Sequence, residues 1–148
     1  MNSVFNLKNK KAGFNYEFID TYTAGLVLLG TEIKSIRDSK VSFNDAFCFF
    51  KDAELFIKNL HIGIYEKASH KNHEPLRIRK LLLHKNELHK LKVKNEEKGL
   101  TIVPVRIFIN EKGIAKMDIA LGRGKKSFDK RESIKKKDIE REVGRKFR

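Results

Sequence analysis

The sequence predicts a mainly β fold: a small closed antiparallel β-barrel of about six strands, two or three short helices, and a basic C-terminal tail. Three observations carry this. Short runs that alternate apolar and polar residues, or are wholly apolar, recur between turn signals. Two of the turns, Lys51-Asp52-Ala53-Glu54 and Asn110-Glu111-Lys112-Gly113, sit where hairpins need them. Beyond residue 122 apolar residues thin out while charge rises. Residues 1–122 therefore form one domain and 123–148 an appendage, and a body of about 120 residues buries roughly two-thirds of its unfolded surface, enough for a core of its own.

Met1 to Lys11 is a polar lead, with Lys8, Lys10 and Lys11 around Asn9, and a frayed terminus is its plain reading. Phe14 to Leu29 reads as two strands with a turn over Thr21 to Gly25, and Gly25 and Gly30 bracket Leu26-Val27-Leu28-Leu29 as a buried strand. Thr31 then caps a short helix, with Glu32 in its first turn. Ile33 and Ile36 face inward, which leaves Lys34 and Arg37 together outside; a solvated helix surface is the plainer reading of that pair. Ala46 to Phe50 and Leu55 to Leu60 make the first hairpin. There Cys48 reads as a small core residue, and Phe47, Phe49 and Phe56 occupy inward-looking positions.

Ala68 to Pro75 is polar and reads as a loop. From Arg77 the run RIRKLLLHKNELHKL turns helical, with Leu81, Leu88 and Leu91 on one spacing; Asn86 offers an alternative, later start. Arg77, Arg79, Lys80 and Lys85 crowd the helix start, the wrong end for the dipole, so helix stability does not explain them. Thr101 to Ile109 and Ile114 to Leu121 form the second hairpin. Gly113 suits its positive-φ position, and Pro104 requires an edge or a bulge. Oligonucleotide-binding folds have this architecture.

The charge narrows the function. Lys and Arg number 33 against 19 Asp and Glu, a net +14 with a pI near 9.9, the electrostatic footprint of a nucleic-acid binder. No apolar run approaches the ~20 residues of a membrane span, no basic amphipathic helix shows a broad apolar face, and the N-terminus has no signal-peptide core. The single Cys48 excludes an internal disulfide and fits a reducing cytoplasm. His70-x-x-His73 lacks the partners of a zinc site, so neither metal nor cofactor is expected. Gly122-Arg123-Gly124-Lys125-Lys126 lacks the spacing of a phosphate loop. His61 or His84 with Asp45 or Glu87 could be assembled into an acid–base pair for RNA cleavage, but no spacing singles them out, and the chain does not read as an enzyme.

The tail holds 12 Lys and Arg against 5 Asp and Glu, a net +7 and half the total. So charged a segment with so little apolar surface does not offset its own ordering entropy, and it reads as an arm that orders on a polyanion. Asp129 with Glu132 resembles a capping box, and Ile139, Val143 and Phe147 form a thin stripe, which predicts a helix after Asp129 once the arm is seated.

Three stretches combine: Ala24 to Arg37 (AGLVLLGTEIKSIR), Arg79 to Leu83 (RKLLL) and Gly124 to Arg131 (GKKSFDKR). In this order and at these intervals the chain closely resembles the SsrA-binding protein (small protein B) family, from about Asn9 through the tail. The resemblance implies a non-enzymatic, oligonucleotide-binding-like barrel that binds the tRNA-like part of transfer-messenger RNA and acts with it in trans-translation, the rescue of stalled ribosomes. It implies RNA contacts at Asn9, Lys10, Lys11, Thr23, Gly30, Thr31, Glu32, Lys34, Arg37, Arg79 and Lys80. It assigns Gly124, Lys125, Lys126, Phe128, Asp129, Lys130, Arg131, Lys135, Lys136 and Lys137 to the small-subunit decoding centre and vacant message channel. The expected free state is a monomer. Two departures stand out: Thr23 replaces a residue that is often acidic, and Phe128 stands in a slot that is commonly His or Tyr. The rival reading is a generic single-stranded nucleic-acid binder of the same fold, which would need aromatic rings on an exposed barrel face. The other is a small ribonuclease.

Overall fold

The computed structural model describes residues 5–68 and 71–125. In chain order the elements are β1 (Asn6–Lys8), α1 (Lys10–Asn15), β2 (Tyr16–Leu26), α2 (Gly30–Arg37), β3 (Val41–Ser42), β4 (Phe47–Lys51), β5 (Glu54–Lys58), β6 (His61–Ile62), β7 (Arg79–Leu82), α3 (Lys85–Asn95), β8 (Leu100–Ile109) and β9 (Ala115–Gly124). Six strands close on themselves in the order β8-β4-β5-β7-β2-β9 and back to β8, every pairing antiparallel. This closed, mainly β ring with three helices is the expected architecture.

Its interior is filled by the inward residues of each strand. Leu55, Ile57, Leu81, Ile102, Ile107, Met117, Ile119 and Leu121 are all at most 1% exposed, each stabilising the fold by roughly 1.5–3 kcal/mol relative to an exposed position. Helix α2 adds Ile36 and α3 adds Leu91 to the same core. The first hairpin turns through Asp52 and Ala53, both at positive φ (51° and 65°), and the second through Gly113 at φ 78°. Pro104 stands at a register shift in β8. The bulge lets one edge of β8 serve two partners, β4 at Ile102 and β1 at residues 106–108.

Four expectations change. The stretch read as two strands with a turn at Thr21 to Gly25 is one strand, because Thr21 and Thr23 pair with Ala120 and Asp118 of β9. The run Leu26 to Leu29 buries only Leu26 fully, with Val27 and Leu29 43% and 49% exposed. Arg77 to Leu82 is not helical: β7 fills the slot between β5 and β2, and α3 begins after His84, whose backbone N–H donates to the Glu87 carboxylate at 3.3 Å. The lead is ordered from Phe5 onward, β1 pairing with β8.

Candidate nucleic-acid interface

Helix α2 follows β2 at its Leu26 end. Its cap is Leu29, two residues before the expected Thr31, and the Leu29 N–H donates to Glu32 Oε1 at 2.8 Å. Thr31 lies inside the first turn, its hydroxyl 2.9 Å from Nδ1 of the buried His73, whose Nε2 is 2.9 Å from the Ile62 carbonyl. Both ring nitrogens of His73 are thus engaged within the fold, and no cluster of metal-ligating side chains occurs among the described residues. Lys34 and Arg37 are exposed on the outer face of α2, and Lys34 Nζ lies 5.5 Å from the Tyr65 ring centroid.

Glu32 and Arg79, both expected to touch RNA, are fully buried in the fold. They form an ion pair, Arg79 Nε to Glu32 Oε2 at 2.5 Å, and Arg77 Nη2 reaches Glu32 Oε1 at 2.6 Å. Arg79 also donates to the carbonyls of Leu60, Pro75 and Glu74 at 2.7, 3.2 and 3.4 Å. Burial favours the neutral acid of Glu32, but the bonds from Arg77, the Leu29 N–H and Arg79 outweigh it and hold the carboxyl below its ordinary range. Burial lowers the pKa of Arg79, and Glu32 opposes that. The cluster locks α2 to β7 and to the turn at Glu74 and Pro75. A period-two reading of Arg77 and Arg79 would have put both on one strand face, toward the acid that α2 supplies.

At the other end of β2 lies a different surface. Asn9 bridges to β8, its N–H to the Val105 carbonyl (2.8 Å) and its side-chain amide to the Pro104 carbonyl (2.8 Å), so it anchors α1. Lys10 and Lys11 are exposed on that helix. β9 runs to Gly124, past the expected boundary at residue 122, and pairs Gly124 with Tyr16. The Lys125 N–H donates to the Asn15 carbonyl at 2.8 Å and its ammonium to the Gly13 carbonyl at 3.2 Å, so the chain leaves the ring beside α1. A groove of about 230 Å³ opens here between Lys11, Asn15, Tyr16, Asn44 and Phe47. The expected RNA residues therefore fall on two helices: Lys10 and Lys11 ride on α1, which leads from Asn9, held on β8 at Pro104 and Val105, down to Tyr16, whereas Lys34 and Arg37 ride on α2 beyond Leu26.

Between the ends, the Thr23 hydroxyl donates to Asp118 Oδ1 at 2.7 Å, while Asp118 Oδ2 accepts from Arg106 Nε at 3.0 Å. A carboxylate thus stands beside Thr23 after all, on the neighbouring strand. Thr23 and Asp118 line a hollow of about 490 Å³ with His84 and Glu87. Lys80 is half-buried and paired with Glu54 at 3.1 Å.

Phe47, Phe49 and Phe56 do not look inward. Period two puts Cys48, Leu55 and Ile57 into the core and the rings outside, Phe47 exposed and Phe49 stacked on Phe56 at 5.9 Å. Burial pushes the Cys48 thiol far above its ordinary value, as suits a core residue. His84 and Glu87 meet at the start of α3 only through the helix cap, and His61 lies in the β3–β6 pair, so the described residues assemble no acid–base pair from them. Lys126, Phe128, Asp129, Lys130, Arg131, Lys135, Lys136 and Lys137, with the expected tail helix, lie outside the described residues, as does His70.

The family model for "SmpB protein" matches residues 6–148. The chain belongs to the SmpB family. An SsrA-binding protein of Phocaeicola vulgatus is 59% identical over 143 residues, covering 97% of this chain and 95% of the relative. One from Cytophaga hutchinsonii is 59% identical over 140 residues, covering 95% and 92%. A chain in a solved structure described as "tmRNA-SmpB: a journey to the center of the bacterial ribosome" superposes with a TM-score of 0.72 at 49% identity, over 88% of this chain and 94% of that one. The family is one of RNA-binding proteins. No helix among the described residues is long and apolar enough to cross a membrane.

Proposed function

We propose that this protein binds transfer-messenger RNA and carries it to stalled ribosomes for trans-translation, without catalysing a reaction itself. The observation that supports this most strongly is the 49%-identical match to a chain of the tmRNA–SmpB ribosome structure over nearly its whole length. The two ends of β2 suggest a division of labour. At the α2 end, Thr31, Lys34 and Arg37, backed by Lys80 and the hollow at Thr23, hold the RNA through charge and shape, as suits a folded RNA whose deep groove side chains cannot read. At the α1 end, Lys10 and Lys11 border the root of the tail and act with it on the ribosome. In this reading the basic tail, residues 123–148, acts in the decoding centre and message channel. The cytoplasm is the compartment, and the free protein is monomeric.

The rival of a generic single-stranded binder draws support from the outward Phe47, Phe49 and Phe56. A competition experiment separates the two: transfer-messenger RNA against polyuridine and ordinary tRNA at several salt concentrations. Preference for transfer-messenger RNA by about a hundredfold supports the proposal. Equal competition by polyuridine, lost on Phe49→Ala, contradicts it.

A further inference from the structure

Arg77 was expected only as part of a basic helix start, yet it occupies an unusual position. Its Nε and Nη2 are held on Glu32 at 3.3 and 2.6 Å, and Nη2 also reaches the Val27 carbonyl at 3.4 Å. Nη1 donates to nothing among the described residues, and the side chain is 32% exposed where its partner Glu32 is 0%. The cluster contains one carboxylate and two guanidiniums, so one positive charge is left over. Arg79 is fully buried with its donors engaged, and the excess faces solvent at the free edge of Arg77.

The surroundings are apolar. Leu76 and Ile78 flank Arg77 in the chain and are 48% and 47% exposed; Val27 and Leu29 belong to the segment its guanidinium bonds to, at 43% and 49%. Val27 and Leu29 set exposed apolar side chains in the segment that the guanidinium bonds to, and Leu76 and Ile78 are exposed on either side of Arg77 in the chain. A fixed planar cation with a free edge suits a phosphate, and apolar surface beside it suits a base or ribose face that has left its stack. A protein partner would be asked to bring an acid into the same place, but Lys34 and Arg37 on the adjoining helix extend the positive field along a polyanion instead.

We propose that Arg77 is an RNA-binding residue of this protein, its free guanidinium edge taking a backbone phosphate while Val27, Leu29, Leu76 and Ile78 receive an unpaired nucleotide. Glu32 and Arg79 act as positioning residues: the buried carboxylate orients Arg77 before RNA arrives, so little side-chain entropy is lost on binding.

The proposal rests on transfer-messenger RNA being the ligand, and its test separates the two claims. Affinity for that RNA is measured for the full chain across a salt series, with wild type, Arg77→Gln and Arg77→Lys. Failure of wild type to prefer transfer-messenger RNA over ordinary tRNA overturns the functional reading. If wild type does bind, Arg77→Gln is expected to weaken binding about tenfold and to lower the slope of log affinity against log salt by about 0.7–0.9. Arg77→Lys should keep the slope and still lose affinity, because a point charge replaces the fork. An unchanged slope and affinity in folded Arg77→Gln overturns the proposal. Loss of an anchor for Glu32 could unfold that variant, so a second measurement uses wild type alone: modification of arginines by phenylglyoxal, read by mass spectrometry. Arg77 should react in the free protein and be protected by RNA, while Arg79 reacts in neither state. Equal reactivity of Arg77 with and without RNA overturns the proposal.

Discussion

At the Leu26 end of β2, charge is fixed from beneath: Glu32, fully buried, takes bonds from two arginines and from the backbone that starts α2. At the Tyr16 end, Lys10 and Lys11 ride on a six-residue helix tied down by Asn9 to the carbonyls of β8, and the chain runs out beside them through Lys125 within a tail whose residues 123–148 carry a net +7. One end holds Arg77 and Arg79 in a set geometry beneath the exposed Lys34 and Arg37. The other offers cations on long, unconstrained stems at the base of a basic arm. Preorganised charge discriminates shape, because little ordering remains to be done on binding. Loosely held charge follows a polyanion wherever it leads, with affinity set mainly by counterion release. The contrast fits one end reading a particular folded RNA and the other tracking a channel.

Removing the tail should have the largest effect on rescue and the smallest on RNA binding. Truncation after Lys125, beyond the last pairing of β9, is expected to abolish ribosome rescue in a translation assay while RNA affinity stays within about tenfold, or ~1.4 kcal/mol. Loss of RNA affinity by several orders of magnitude would move the RNA site into the tail. Ile139→Pro should reproduce the rescue defect with RNA binding intact, and circular dichroism of a peptide spanning residues 123–148 should show little helix in plain buffer.

The next largest effect lies at the fixed end. Arg79→Ala leaves Glu32 buried beside a hole and should cost about 3–5 kcal/mol in denaturant unfolding, while Glu32→Gln with Arg79→Met recovers much of it. The pH dependence follows in sign. Glu32 has a lower pKa folded than unfolded, so its stabilisation is present above the unfolded value and is lost as pH falls through the depressed folded one. The stability gap between wild type and Glu32→Gln should therefore narrow below about pH 4. A gap independent of pH would remove the charge of Glu32 from the account. At the loose end, Lys11→Ala should leave the melting temperature nearly unmoved, since exposed charges contribute little to folding.

The difference between the ends also explains what the residues disclosed. The hairpins, the bulge at Pro104, the buried Cys48 and the outward Lys34 and Arg37 follow from local rules, and each was legible. Thr21 and Thr23 misled because hydroxyl residues suit turns as well as strands, and only pairing with β9 decides. Leu81 to Leu83 read as helix because an apolar run has no clear period, and closure of the ring between β5 and β2 decides that case. The phenylalanines were placed inward on hydrophobicity alone, although alternation with Cys48, Leu55 and Ile57 pointed the other way. At the site, a motif names residues without saying which touch the ligand. Glu32 and Arg79 are part of the recurring pattern, yet they pair with each other across 47 positions of the chain, so their burial depends on tertiary contacts.

Paired substitutions show whether the two ends of β2 serve different partners. Lys34→Ala with Arg37→Ala is compared with Lys10→Ala with Lys11→Ala, each assayed for transfer-messenger RNA affinity across a salt series. Removing the α2 pair should lower the salt slope by about 1.4–1.8, two phosphates' worth, while removing the α1 pair should leave it within about 0.3 of wild type and impair rescue instead. Equal loss of slope from both pairs would show one RNA surface running the whole length of β2, and the division drawn here would fail.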